Sequence, residues 1–243
     1  MPAPVPLHLR PSAPYAPEVL LPGDPGRALA LAQQLLDEPR MSNHARGLWG
    51  YTGKTSADRP LSIQSTGMGG PSAAIVVHEL AELGVTRAIR VGTCGALDAE
   101  LGHGELIVAG EALAKDGTSR ALGAAELAEA DEELTAALAD GLPSGRSPAR
   151  IVTSDLFYED VPGSGSSSSR AGDWRERGAV AVEMETATLF TLGRRLGVAT
   201  ACILAVSDTF VGGERQRIGD EELATAVESM GAAAAAAFAG DQA

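Results

Sequence analysis

Short apolar runs alternate along this chain with longer stretches of helical periodicity, and that alternation constrains the fold more than any other feature. Val19–Leu21, Leu61–Thr66, Ala88–Val91, Glu105–Ala109, Arg150–Thr153, Ala179–Val182 and Ala201–Val206 read as strands. Pro25–Leu36, Pro71–Leu83, Ala124–Ala139, Glu185–Leu196 and Asp220–Phe238 read as helices. The helix Pro71–Leu83 carries the clearest signals. Pro71 suits its first position, Gly84 suits the residue after its end, and Ala73, Val76, Val77, Leu80 and Leu83 form one apolar stripe. Strands and helices in alternation predict an α/β fold with a largely parallel or mixed sheet, and the expected architecture is a three-layer α/β/α sandwich around a central mixed sheet. No linker divides the chain, so residues 1–243 are expected to form a single domain. The Ser-rich stretch Gly163–Ser169 reads as a surface loop or lid.

Charge and cysteine content narrow the function. Lys and Arg total 19 against 32 Asp and Glu, a net charge of −13, which disfavours a nucleic-acid partner. Cys94 and Cys202 have no C-x-x-C spacing, so they form neither a disulfide framework nor a zinc site and fit a cytoplasmic protein. No apolar run approaches the ~18 residues of a membrane span, and the Ala-rich Gly231–Ala239 reads as a packed helix. The N-terminus lacks the basic and apolar regions of a secretory signal.

Ligands of open α/β sheets bind beyond the carboxyl ends of strands. Glycines, hydroxyls and carboxylates gather there six times: at 22–27, 67–72, 92–95, 154–158, 183–185 and 207–208. One site assembled at one sheet edge accounts for all six. Two nucleotide motifs fail. Gly53-Lys54-Thr55 has Leu48 where a P-loop needs glycine and reads as an exposed turn, and Gly67-x-Gly69 has Ser72 where a dinucleotide fingerprint needs its third glycine.

Several single residues stand out. Arg27 lies in the first turn of a helix, where a cation opposes the macrodipole unless it pairs with Asp24 or holds an anion. Arg90 interrupts an apolar strand; it either faces solvent or joins Thr93 on an anion. Glu185 shares a stripe with Leu189, Leu192 and Leu196, so it is either a dipole-favoured first-turn acid or a ligand to hydroxyls. Asp208 ends a very apolar strand, as a turn residue or as a general acid. Phe157 is a core side chain or a platform for a planar ligand.

Taken in order, His8, Leu-Pro-Gly-Asp-Pro-x-Arg (21–27), Asn-x-x-Arg-Gly (43–47), Gly-Met-Gly-x-Pro-Ser (67–72), Arg-Val-Gly-Thr-Cys-Gly-Ala (90–96), Ser-Asp-Leu-Phe-Tyr (154–158), Val-Glu-Met-Glu (182–185) and Ser-Asp (207–208) cover nearly the whole chain. This set resembles the hexameric purine nucleoside phosphorylases of the nucleoside phosphorylase-I family. The resemblance implies phosphorolysis of a purine nucleoside to free base and ribose 1-phosphate, with no metal or organic cofactor. It implies that Gly23, Arg27, Arg90 and Thr93 hold phosphate. Arg46 would be lent to that phosphate by a neighbouring subunit, and His8 to the ribose 5′-hydroxyl. Glu183, Met184 and Glu185 would line the nucleoside, Glu185 holding the 2′- and 3′-hydroxyls and Met184 flooring the ribose. Phe157 would stack on the base, Asp208 would protonate N7, and Ser207 would support Asp208. An arginine after Asp208 assists proton transfer in such enzymes. Arg215 and Arg217 both meet that description, and Arg215 is carried with Asp208 as the catalytic pair. The implied assembly is a homohexamer, a trimer of dimers.

Three other readings compete with this one. Uridine phosphorylases share the Ser-Thr-Gly-Met-Gly-Gly-Pro-Ser (65–72) segment, but they read uracil with a glutamine and an arginine after the Phe-Tyr pair. This chain has Glu159-Asp160-Val161-Pro162 there, and it has the acid at 208 that they lack. A hydrolytic nucleosidase has little use for Arg27, Arg46 and Arg90 together. A non-catalytic nucleoside-binding protein has no use for Asp208.

Overall fold

A computed structural model describes residues 6–142, 148–158, 167–211 and 214–239. The elements of its first half are β1 (Glu18–Leu21), α1 (Pro25–Leu35), β2 (Asp37–Asn43), β3 (Gly50–Lys54), β4 (Pro60–Gln64), α2 (Gly70–Glu82), β5 (Arg87–Ala96), β6 (Leu106–Ala114) and α3 (Gly117–Ala121). The second half holds β7 (Leu127–Glu129), α4 (Glu132–Asp140), β8 (Ala149–Thr153), α5 (Ser167–Glu176), β9 (Ala181–Glu183), α6 (Thr186–Leu196), β10 (Ala199–Val211), β11 (Glu214–Arg217) and α7 (Asp220–Ala237).

All strands join one mixed sheet in the order β11-β10-β6-β8-β9-β5-β1-β4-β3-β2, with β7 on β6. β10 also runs parallel to β5 from Ala199↔Arg87 to Asp208↔Gly95, so β5, β10, β6, β8 and β9 close into a ring. β5 is the junction. Its residues 87–90 pair with β1, and on the same edge residues 95 and 96 pair with β9. Residues 91–94 lie between the two ladders.

Helices cover both faces. Val19, Leu21, Ala88, Cys202 and Leu204 pack with α2 and α6, while Leu20, Ile89, Val91, Ala201 and Ile203 pack with α1, α4 and α7. Two-sided burial explains why β1, β5 and β10 read as continuous apolar runs rather than alternating ones. It also sets Arg90 apart: a charged residue in an otherwise apolar stretch of β5, its side chain is buried at 5% exposure. The Ala-rich α7 packs tightly, since a Cβ on Gly231 would lie 2.3 Å from Leu31 Cδ2.

Two sequence expectations need correction. Ala124–Ala139 is not one helix. Asp131 accepts a hydrogen bond from the Leu134 amide at 2.9 Å and so caps a helix that starts only at Glu132, while Leu127–Glu129 pairs with β6 as β7. Gly53-Lys54-Thr55 is not simply a turn: Gly53 and Lys54 finish β3, and Thr55 opens the hairpin to β4. In the Ser-rich stretch, residues 163–166 lie outside the described residues, and Ser167 opens α5.

Candidate active site

The site is built around Arg90. Its Nε donates to Glu183 Oε2 at 3.0 Å, and its Nη2 lies 2.5 Å from Glu185 Oε2. Both carboxylates come from the turn between β9 and α6. Glu183 ends the strand and caps the helix, accepting from the Glu185 amide at 2.9 Å and the Thr186 amide at 3.0 Å. The Thr153 hydroxyl donates to its other oxygen at 2.6 Å. The Glu183 side chain is 1% exposed and surrounded by protein donors. In this structure the side chain orients Arg90 and the start of α6. Glu185 is more available, bonded to Arg90 through Oε2 and to the Gly69 amide through Oε1 at 2.5 Å. Met184, half-buried, lies between the two acids.

The electrostatics follow from two buried carboxylates sharing one guanidinium. Burial works against the charged form of Arg90, but Glu185 and Glu183 outweigh it and hold the guanidinium above its ordinary range. Glu185 is pushed up, chiefly by burial, with Arg90 opposing and Glu183 reinforcing the shift. Gly92 makes room for this network. A Cβ there would sit 2.8 Å from Arg90 Cζ and Nη2. Only a residue without a side chain fits beside that guanidinium.

Arg27 approaches from the β1–α1 turn. Asp24 caps α1, its Oδ1 accepting the Arg27 amide at 2.8 Å. Gly23 lies against both the Gly67 carbonyl and Arg27 Nη2. Burial, then the charge of Arg90, lowers the Arg27 pKa; Asp24 and Glu185 only partly compensate. Arg27 Nη1 and Arg90 Nη1 are both buried with no hydrogen-bond partner among the described residues. Buried guanidinium groups are seldom left so, because an unmade bond to a charged group is expensive. Two such atoms beside a strand carrying the half-buried Thr93 describe a place for an anion.

The far end of β10 supplies a second group. Asp208 is 5% exposed; Ser207 Oγ lies 2.7 Å from its Oδ2, and Arg215 Nε donates to its Oδ1 at 2.9 Å. Asp208 and Arg217 are cross-strand neighbours in the β10–β11 ladder, yet it is the side chain of Arg215 that reaches the acid. The same Arg215 covers the Phe157 ring, its Cζ 4.2 Å from the centroid. Phe157 is 47% exposed and meets Tyr158 edge-on, so it is not a core side chain. Arg215 therefore links the acid to an open aromatic face. The Glu159–Pro162 stretch lies outside the described residues.

His8 and Arg46 are not joined to this network among the described residues. His8 Nδ1 lies 2.7 Å from Glu79 Oε1 on α2. Arg46 is exposed in a tight turn, with φ +58° followed by +71° at Gly47. A left-handed arginine is uncommon and is held here by Asn43, whose side-chain amide donates to the Leu48 carbonyl at 2.5 Å. Asn43 is fully buried and also receives the Arg10 amide at 2.9 Å, tying this turn to the N-terminal segment.

Residues 18–240 match the family model described as Phosphorylase superfamily. A DeoD-type purine nucleoside phosphorylase of Clostridium novyi is 38% identical over 85% of this chain and 88% of its own length. One from Geobacillus kaustophilus is 36% identical over 88% of this chain and 92% of its own. Among solved structures, a uridine phosphorylase from Vibrio fischeri superposes with a TM-score of 0.75 at 28% identity, covering 92% of this chain and 90% of that one.

Proposed function

This chain belongs to the phosphorylase superfamily, and from that premise we propose that it cleaves purine nucleosides by phosphorolysis, yielding free base and ribose 1-phosphate. The observation that carries the reading is the pair of buried, unpartnered Nη1 atoms on Arg27 and Arg90. Phosphate between them, with the Gly23 backbone and the Thr93 hydroxyl, satisfies both. Glu185 beside the same anion accepts from the ribose 2′- and 3′-hydroxyls, and Met184 underlies the sugar. As the C1′–N9 bond lengthens, positive charge develops on the sugar and negative charge on the base. The anion stabilises the first and then attacks C1′. Asp208 delivers a proton to N7 of the departing purine, with Ser207 and Arg215 holding its carboxyl in line. The purine stacks on the face of Phe157 opposite the one that Arg215 covers.

This scheme calls for no metal or organic cofactor, since phosphate held by the arginines meets the positive charge on the sugar and Asp208 the negative charge on the base. His8 and Arg46 serve a neighbouring subunit's site, which makes the working unit at least a dimer and the expected assembly a hexamer, a trimer of dimers. The exposed position of Arg46 and the partly exposed ring of His8 support that role. Free, buried Cys94 and Cys202 suit a cytoplasmic enzyme of nucleoside salvage, and among the described residues no helix is long and apolar enough to cross a membrane. A uridine substrate is the second reading, favoured by the Vibrio fischeri structure; the acid at 208 and the curated relatives favour purine.

The test is release of free base from inosine, guanosine, adenosine and uridine, with and without phosphate. Purine release that requires phosphate and yields an equal amount of ribose 1-phosphate is the expected result. Release without phosphate makes the enzyme a hydrolase, and fast release from uridine alone removes the purine assignment.

A further inference from the structure

We infer that Glu79 is a positioning residue for the nucleoside site, acting through His8; the inference rests on the reading that His8 serves a neighbour's ribose. Glu79 lies on the inward side of α2 and is 6% exposed. Its carboxylate takes three successive backbone amides: Leu7 to Oε1 at 3.1 Å, His8 to Oε1 at 3.0 Å and to Oε2 at 3.1 Å, and Leu9 to Oε2 at 2.6 Å. His8 Nδ1 completes the set at 2.7 Å. Burial alone raises a carboxyl pKa, but here the bonds from Leu9, His8 and Leu7 outweigh burial and hold Glu79 below its ordinary range.

The three amides suffice to fasten the chain. The ring contact does something else. An ionised carboxylate has no proton to give, so the Nδ1 facing it must carry the hydrogen. In neutral His8 the lone pair is then on Nε2, on the other side of the ring from Glu79. With its side chain 32% exposed, the ring presents an acceptor outward at a fixed angle. Such an acceptor suits a hydroxyl donor, the chemistry of a ribose 5′-hydroxyl. Leu9, fully buried, and the Arg10 amide on Asn43 hold the segment on its other side, so the ring has a rigid base.

The test compares inosine with 5′-deoxyinosine in the assembled enzyme. His8→Ala is expected to reduce the kcat/KM preference for inosine by about three- to tenfold, the range of one neutral hydrogen bond. Glu79→Gln should reduce the same preference to a similar degree, and the double variant no further, because both act through one ring. A purely structural Glu79 lowers kcat/KM for both substrates equally and leaves the ratio intact, which overturns the inference. An unchanged ratio in His8→Ala refutes instead the reading of His8, and the inference falls with it. A second measurement needs no variant to fold: with ring-labelled histidine, the His8 signal of the wild-type enzyme must report the Nδ1–H tautomer. An Nε2–H tautomer there refutes the role of Glu79.

Discussion

Replacing Glu183 by glutamine tests whether this acid organises the site or touches the substrate. The amide has nearly the carboxylate's shape, so the packing around a side chain that is 1% exposed stays intact. Its single oxygen can take the place of Oε2, where Arg90 Nε and the Glu185 and Thr186 amides converge at 2.9–3.0 Å. Its NH2 group then faces the Thr153 hydroxyl and the Thr186 amide, both of which were donors to Oε1. Arg90 keeps Glu185 as counter-charge. The change therefore costs less than the ~3–5 kcal/mol of leaving a buried charge alone, and about as much as one charge-assisted bond, ~1.5–3 kcal/mol. Taking about 2–3 kcal/mol, and about 2–4 °C per kcal/mol for a chain of this size, Tm should fall by about 4–12 °C. Thermal unfolding followed by circular dichroism in phosphate-free buffer measures it. If Glu183 were a sugar contact, the variant would instead unfold within about 1 °C of wild type and show only a raised nucleoside KM. That result refutes the reasoning.

Two further outcomes follow from the same geometry. Gly92→Ala forces the Arg90 guanidinium to move, because the new methyl would sit 2.8 Å from its Cζ; phosphate KM should rise by about tenfold or more, as read by phosphate titration, and an unchanged value would show that the guanidinium need not hold its place. Arg215→Ala should lower kcat for inosine by about 10- to 100-fold and Arg217→Ala by less than about twofold, since only Arg215 reaches Asp208; equal effects in steady-state assays would contradict that division.

The apolar runs were legible because their strands are buried on both faces, and every strand expected from the sequence is present. β2 was not. Asp37-Glu38-Pro39-Arg40 is exposed at a sheet edge, where charge and proline guard against further pairing and leave no hydrophobic pattern. In the site, Arg90 and Glu185 stood out as charges among apolar neighbours. Their pairing did not, since it joins residues 95 apart through a strand exchange that no local pattern encodes. Which of Arg215 and Arg217 reaches Asp208 is not legible in the sequence either, because it depends on side-chain reach across a hairpin. Glu79 was overlooked, although it sits three residues after Val76 and four before Leu83, on the margin of the apolar stripe. The argument that singled out Glu185 applies to it equally.

The exchange of partners along β5 has a consequence for how such a site can diversify. Because β1 leaves the strand after Arg90 and β9 joins it only at Gly95, one edge of β5 changes partners there while the other stays on β10, and the Arg90 side chain beside that exchange is buried in the core at 5% exposure. Changing that half of the site means rebuilding the core. Phe157 and Arg215 lie elsewhere, exposed after β8 and on β11, whereas Asp208 is 5% exposed on β10. The exposed pair can be exchanged at less cost to folding than Arg90 or Asp208. In a frame of this kind the exposed side chains of the site are free to vary while the buried charges are held by the core.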